Sequence, residues 1–180
     1  MRLTLWSGST ERRNIAILGA FCLFLSTIEY MIPKPLPFLR MGLANVPLML
    51  ALEAFPAPAF ALLGLLKVVG QALISGTLFS YVFLFSIAGT GASALLMYVL
   101  RRLLGPRIGF IGIGISGALV SNSAQLVLAR VFIFGESIRF LILPFLSAGL
   151  LSGAALGMFC ELFASRSVWY QRFITDTRKP

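Results

Sequence analysis

Residues 109–134, GFIGIGISGALVSNSAQLVLARVFIF, are long and apolar enough to cross a bilayer, yet they carry Ser121, Asn122 and Gln125 near the middle and Arg130 toward the far end. A polar group in hydrocarbon costs free energy unless it is paired or lines a cavity, so this cluster marks a candidate functional site. At about 100° per residue with Ser121 at zero, Gln125 falls at about 40°, Asn122 at about 100° and Arg130 at about 180°. The first three can share an inward face. Arg130 joins them only by turning toward a neighbouring helix, and otherwise snorkels to the interface.

Composition points the same way. The 180 residues are 58% hydrophobic and 12% charged, against about 25% charged in an ordinary soluble domain. This is an integral membrane protein. The net charge of +9 does not indicate nucleic acid, because the basic residues flank apolar runs, as orientation signals do. Cys22 and Cys160 lie inside apolar runs and imply no disulfide framework. Histidine is absent, which removes the commonest general base and metal ligand at neutral pH. A first apolar run that is long and lacks an A-x-A-like site argues against a removable signal peptide.

Taken in order, residues 1–13 form a basic leader and residues 14–32 a first span, whose only charge, Glu29, is either a snorkelling carboxylate or part of a polar site. Ala16 and Ala20 stand one turn apart beside Gly19, a small-xxx-small surface on which another helix can pack. Pro33, Pro35 and Pro37 stiffen the loop that follows. Residues 41–55 contain Asn45 and Pro47 and are short for a span, so a tilted, kinked or partly re-entrant segment is expected. In a third span, 59–78, Lys67, Gln71 and Ser75 recur every four residues and share one helical face. Either Lys67 pairs with Glu29 or Glu53, or Lys67 and Gln71 face an anionic or polar ligand.

A fourth span, 79–100, has Gly89, Gly91, Ala92 and Ser93 for close helix contact and leads to a basic turn with Arg101, Arg102 and Arg107. The fifth span is 109–134. The sixth is 138–163, with a kink expected at Pro144 and Gly149, Gly153 and Gly157 on one face for tight backbone packing. Trp169 and Tyr170, interface-type aromatics, sit in a basic tail. The expected fold is thus all-α, a polytopic six-helix bundle over residues 14–164, flanked by a leader of 1–13 and a tail of 165–180. Ten of the fifteen basic residues fall on the side of the termini, which predicts a multi-pass protein of a bacterial-type inner membrane with both termini in the cytoplasm.

Some chemistry is missing. Prenyl diphosphate synthases hold substrate through magnesium on clustered carboxylates, whereas this chain has six acidic residues, no two adjacent. It also lacks a phosphate-cradling Gly-x-x-x-x-Gly-Lys-Ser/Thr loop. The expectation is a non-enzyme without metal or cofactor.

GLANVPLMLAL, SGTLFSYVFLFSIAGTGAS and GALVSNSAQLVLA, in this order and at these separations, resemble the Gx transporter family, often labelled heptaprenyl diphosphate synthase component I. The likeness runs over residues 14–163. Ser121 stands where that pattern often has histidine, so no proton-linked role is implied for it. In size and layout the family is similar to the S components of energy-coupling factor transporters, in which an Ala-x-x-x-Ala face on the first helix docks to a transmembrane coupling subunit driven by two ATPases. The resemblance gives Ala16 and Ala20 that docking role.

The expected function is a membrane component that binds a small polar or anionic solute from the outer side for uptake. Lys67, Gln71, Asn122 and Gln125 would line the binding face, with Asn45 and Arg40 nearer a loop that closes over the ligand, and Lys67 and Arg130 favouring an anionic group. The alternatives are an accessory subunit that holds an isoprenoid lipid or anchors a soluble prenyl synthase, and a structural partner in a membrane redox or lipid-modifying complex.

Overall fold

The computed structural model describes residues 9–32 and 42–177, and among these every regular element is helical. Five helices are long: α1 (Ser9–Met31), α3 (Ala57–Ile74), α4 (Tyr81–Leu104), α5 (Phe110–Ala129) and α6 (Arg139–Arg166), with α2 (Val46–Ala51) and α7 (Val168–Thr177) much shorter. Four stretches have the length and hydropathy to cross a membrane: Arg13–Met31, Ala57–Ile74, Tyr81–Arg107 and Phe110–Arg166, the last comprising both α5 and α6. A five-residue π-helical turn, Arg130–Phe134, and a short 3₁₀ turn, Gly135–Ile138, reverse the chain between those two.

The second expected span is where the structure departs from six long helices. Leu43–Asn45 is a 3₁₀ turn and α2 has only six residues, so α2 extends about 9 Å of a core about 30 Å thick. Pro47 does not break this helix but sits in its first turn, where a missing N–H goes unnoticed. Every residue of α2 is buried. Irregular backbone at membrane depth is tolerated only inside protein, and this segment runs through the interior. At one end the Gly42 amide donates to Glu29 Oε1 at 3.2 Å, near the C-terminus of α1; at the other Glu53 pairs with Arg101, near the C-terminus of α4.

That Arg101 does more than orient the chain. Its guanidinium also donates to the carbonyls of Gly105 (3.3 Å) and Ile108 (2.7 Å) and lies 5.6 Å from the Phe110 ring centroid. It therefore satisfies carbonyls of the α4–α5 turn that no helix bond reaches and ties that turn to the end of the buried segment.

Helices α5 and α6 are in backbone contact. A Cβ at Gly153 would stand 2.6 Å from the Gly114 carbonyl oxygen, and one at Gly157 would stand 2.5 Å from Ile111 Cα. At Gly153 and Gly157 backbone therefore lies on backbone, while Gly149 of the same row faces the Asn122 side chain. Gly89 likewise meets α5, whereas a Cβ at Gly91 would meet nothing within 4 Å. Helix α6 continues through Pro144, which is exposed.

The basic tail folds back as α7. Ser167 Oγ accepts from the Tyr170 amide at 3.2 Å, a hydroxyl cap on the first turn. Tyr170 and Phe173 are buried in the main core; Phe173 meets the Phe55 ring edge-on at 5.8 Å and the Tyr170 ring lies 6.2 Å from that of Phe163 in α6. Tyr170 is thus a core residue rather than an interfacial one, while Trp169 stays partly exposed. The Tyr170 hydroxyl donates to the Leu50 carbonyl at 3.0 Å, supplying a partner near the C-terminus of α2. Tyr170→Phe is expected to lower stability by about 1 kcal/mol, read as a lower thermal midpoint in detergent; an unchanged midpoint would mean that this bond holds nothing.

Candidate ligand-binding site

Polar side chains from five elements converge on one cavity: Glu29 of α1, Asn45 ahead of α2, Lys67 and Gln71 of α3, Ser86 and Thr90 of α4, and Ser121, Asn122 and Gln125 of α5. Helix α6 closes it with Ser152, Gly153 and Leu156. The cavity volume is about 30 Å³, room for one or two waters. Glu29 (1%), Lys67 (4%), Gln71 (6%), Asn122 (4%) and Gln125 (2%) are all nearly inaccessible.

Lys67 is held by short-range partners. Its ammonium donates to Asn45 Oδ1 and, at 3.3 Å, to Thr90 Oγ1, while Glu53, one of its two expected acidic partners, sits with Arg101. Asn122 Nδ2 donates to the Phe145 carbonyl of α6 at 2.7 Å. A Cβ at Gly149 would lie 2.5 Å from that same Nδ2, so Gly149 admits the Asn122 side chain as well as the neighbouring helix. Gly89 serves Gln125 in the same way, with a hypothetical Cβ 2.5 Å from Gln125 Nε2. Gln125 Nε2 donates to Ser121 Oγ at 3.2 Å, and Gln125 Oε1 has no hydrogen-bond partner among the described residues. A buried amide oxygen without a donor costs about 1–3 kcal/mol, and a ligand or water donor would relieve that cost.

The structure brings together Asn45, Lys67, Gln71, Asn122 and Gln125 and adds Glu29, one of the two roles open to it. Ser75, the third member of the α3 stripe, turns its hydroxyl to the Gln71 carbonyl at 2.8 Å and to Thr77 instead. Arg130 stays out: it starts the π-helical turn and pairs with Glu136 at 2.5 Å, its side chain 60% exposed. Its position nearly opposite Ser121 on the helix is the reason. Arg40 lies outside the described residues. With Arg130 outside the cavity, Lys67 and Glu29 are the charged side chains on its wall among the described residues. Arg130→Ala is expected to change stability and ligand retention by no more than about 0.5 kcal/mol; a large loss of retention would place Arg130 in the site after all.

Thr90 and Ser86 were not singled out from the sequence. Ser86, Thr90 and Ser93 are spaced four and three residues apart on one face of α4, the same kind of polar stripe that marks α3. On α1, Ala16 and Ala20 are exposed while Gly19 between them is buried, 3.7 Å from Leu66 measured from a hypothetical Cβ. The small pair is available on the outside of the bundle.

A family model described as heptaprenyl diphosphate synthase component I matches residues 18–163, which include every cavity residue named here. Comparison with curated proteins and with solved structures gave no match.

Proposed function

The chain belongs to the heptaprenyl diphosphate synthase component I family, and from that membership and the buried cavity we propose that it is the membrane-embedded, solute-binding component of an uptake system. The observation that carries this reading is Lys67, an ammonium 4% exposed on a cavity wall shared with Glu29, Gln71, Asn122 and Gln125. Five polar or charged groups at membrane depth are costly to maintain, and a purely structural bundle gains nothing from directing them at one void. The solute is polar and carries both donors and acceptors, matched to an ammonium, a carboxylate and an unpaired amide oxygen. It is not an enzyme on this reading, and it needs no cofactor.

A cavity of about 30 Å³ holds no organic solute in this conformation, so loading requires the bundle to open. Uptake is then a shift between open and closed populations, set by the differential affinity of the solute for the two states and by the cycle of a partner. The exposed Ala16 and Ala20 face supports docking of a transmembrane coupling subunit with ATPases, and the ends carrying Arg13, Arg101 and Arg166 would face the cytoplasm. The family's description as a synthase component favours a second reading, an accessory subunit for a soluble prenyl synthase.

Affinity isolation of the tagged chain from native membranes in mild detergent, with identification of co-purifying proteins, separates the two. Recovery of a coupling subunit with ATPases, lost in an Ala16→Leu, Ala20→Leu chain that remains folded, is the expected result. Both positions are exposed, so the substitutions enlarge a surface without disturbing the core. Recovery of a soluble prenyl synthase without ATPases would overturn the uptake reading.

A further inference from the structure

An apolar groove of about 490 Å³ runs along the outside of the bundle between α3 and α4. Phe60, Ala61 and Gly64 line one side and Phe83, Gly91 and Leu95 the other. In a bilayer such a groove is filled by any available chain and by itself identifies no ligand. What distinguishes this one is its neighbour. Among the described residues Thr90 alone lines both the groove and the polar cavity, and its hydroxyl accepts from Lys67 at 3.3 Å. A threonine carries one methyl and one hydroxyl, so a single side chain can border hydrocarbon on one side and the ammonium site on the other. On α3 the same division falls between consecutive residues, with Lys67 on the cavity and Val68 on the groove.

We infer that the ligand is a single-chain amphiphile, its polar head in the Lys67–Gln125 cavity and its apolar chain along the α3–α4 groove, entering sideways from the bilayer past Thr90. The inference rests on the proposed solute-binding role of the cavity and names the class of solute. The head carries hydroxyl, amine or amide groups, which give Gln125 Oε1 the donor it lacks and give Lys67, on the same cavity wall, an acceptor.

The test is lipid and small-molecule mass spectrometry on the full chain excised from native membranes in polymer discs, with bulk membrane lipid as the reference. The wild type is compared with Lys67→Met, Gly91→Trp, Ala61→Trp and an outside control, Leu103→Trp. A Cβ at Gly91 meets nothing within 4 Å, Ala61 is exposed and Leu103 is 77% exposed, so these chains should fold. The expected result is one amphiphile enriched over bulk lipid in the wild type and the Leu103→Trp chain, and reduced at least about tenfold by Lys67→Met and by both groove substitutions. A retained molecule lost in Lys67→Met but unaffected by Gly91→Trp and Ala61→Trp would overturn the amphiphile while leaving solute binding intact. A molecule insensitive to Lys67→Met, or no enrichment over bulk lipid in the wild type, would overturn both.

Discussion

A Gly153→Leu chain is expected to yield no stable monodisperse protein in detergent, at a cost of about 3 kcal/mol or more. Overpacking an ordinary core costs about 1–3 kcal/mol because side chains can move aside. Here the obstacle is backbone: the new Cβ would stand 2.6 Å from the Gly114 carbonyl oxygen and 2.9 Å from Ile115 Cα. Neither can yield without separating α5 from α6, and Leu adds three carbons beyond Cβ. Separation would also pull Asn122 from the Phe145 carbonyl, so the damage spreads to the cavity. The matched control is Gly91→Leu, where a Cβ meets open space and the change should stay within about 0.5 kcal/mol. Size-exclusion profiles and thermal midpoints of the two chains decide the point. A well-behaved Gly153→Leu chain would mean that the helices are not in backbone contact.

Lys67→Met should weaken ligand retention at least about tenfold while leaving a folded bundle. Methionine fills much of the same volume in an adaptable, uncharged chain, but it cannot donate to Asn45, to Thr90 or to a ligand acceptor. A hydrogen bond from a charged group contributes about 1.5–3 kcal/mol, so affinity should fall about 10- to 100-fold. Gln71→Leu removes a neutral donor and acceptor from the same α3 face and should weaken binding less. If Lys67→Met alters only the melting temperature and leaves retention unchanged, the polar stripe on α3 is structural.

Much of this was legible in the residues. The four-residue spacing of Lys67 and Gln71 places them on one face, and the angular positions of Ser121, Asn122 and Gln125 separate them from Arg130 without reference to any tertiary contact. The structure keeps that separation. Other features depended on contacts between distant parts of the chain. Composition could not decide whether Glu29 lay at an interface or in a core, because the answer depends on Gly42 reaching it from beyond the loop. The short α2 segment is apolar on all sides, a pattern shared by buried strands, buried helices and partial spans. The aromatic residues of α7 suit both an interface and a core, and the Leu50 carbonyl decides for Tyr170. Arg101 reads as a topology signal in sequence and proves also to hold a turn, since charge counts carry no information about Glu53, 48 residues away.

The most direct test of the central claim is native mass spectrometry of the intact chain immediately after extraction, run in parallel on the wild type, Arg130→Ala and Lys67→Met. The predicted result is one small molecule per chain in the wild type and in Arg130→Ala, and bare chain in Lys67→Met. Bare chain in all three, or the same bound mass surviving in Lys67→Met, would contradict the assignment of the buried polar cavity as a ligand site.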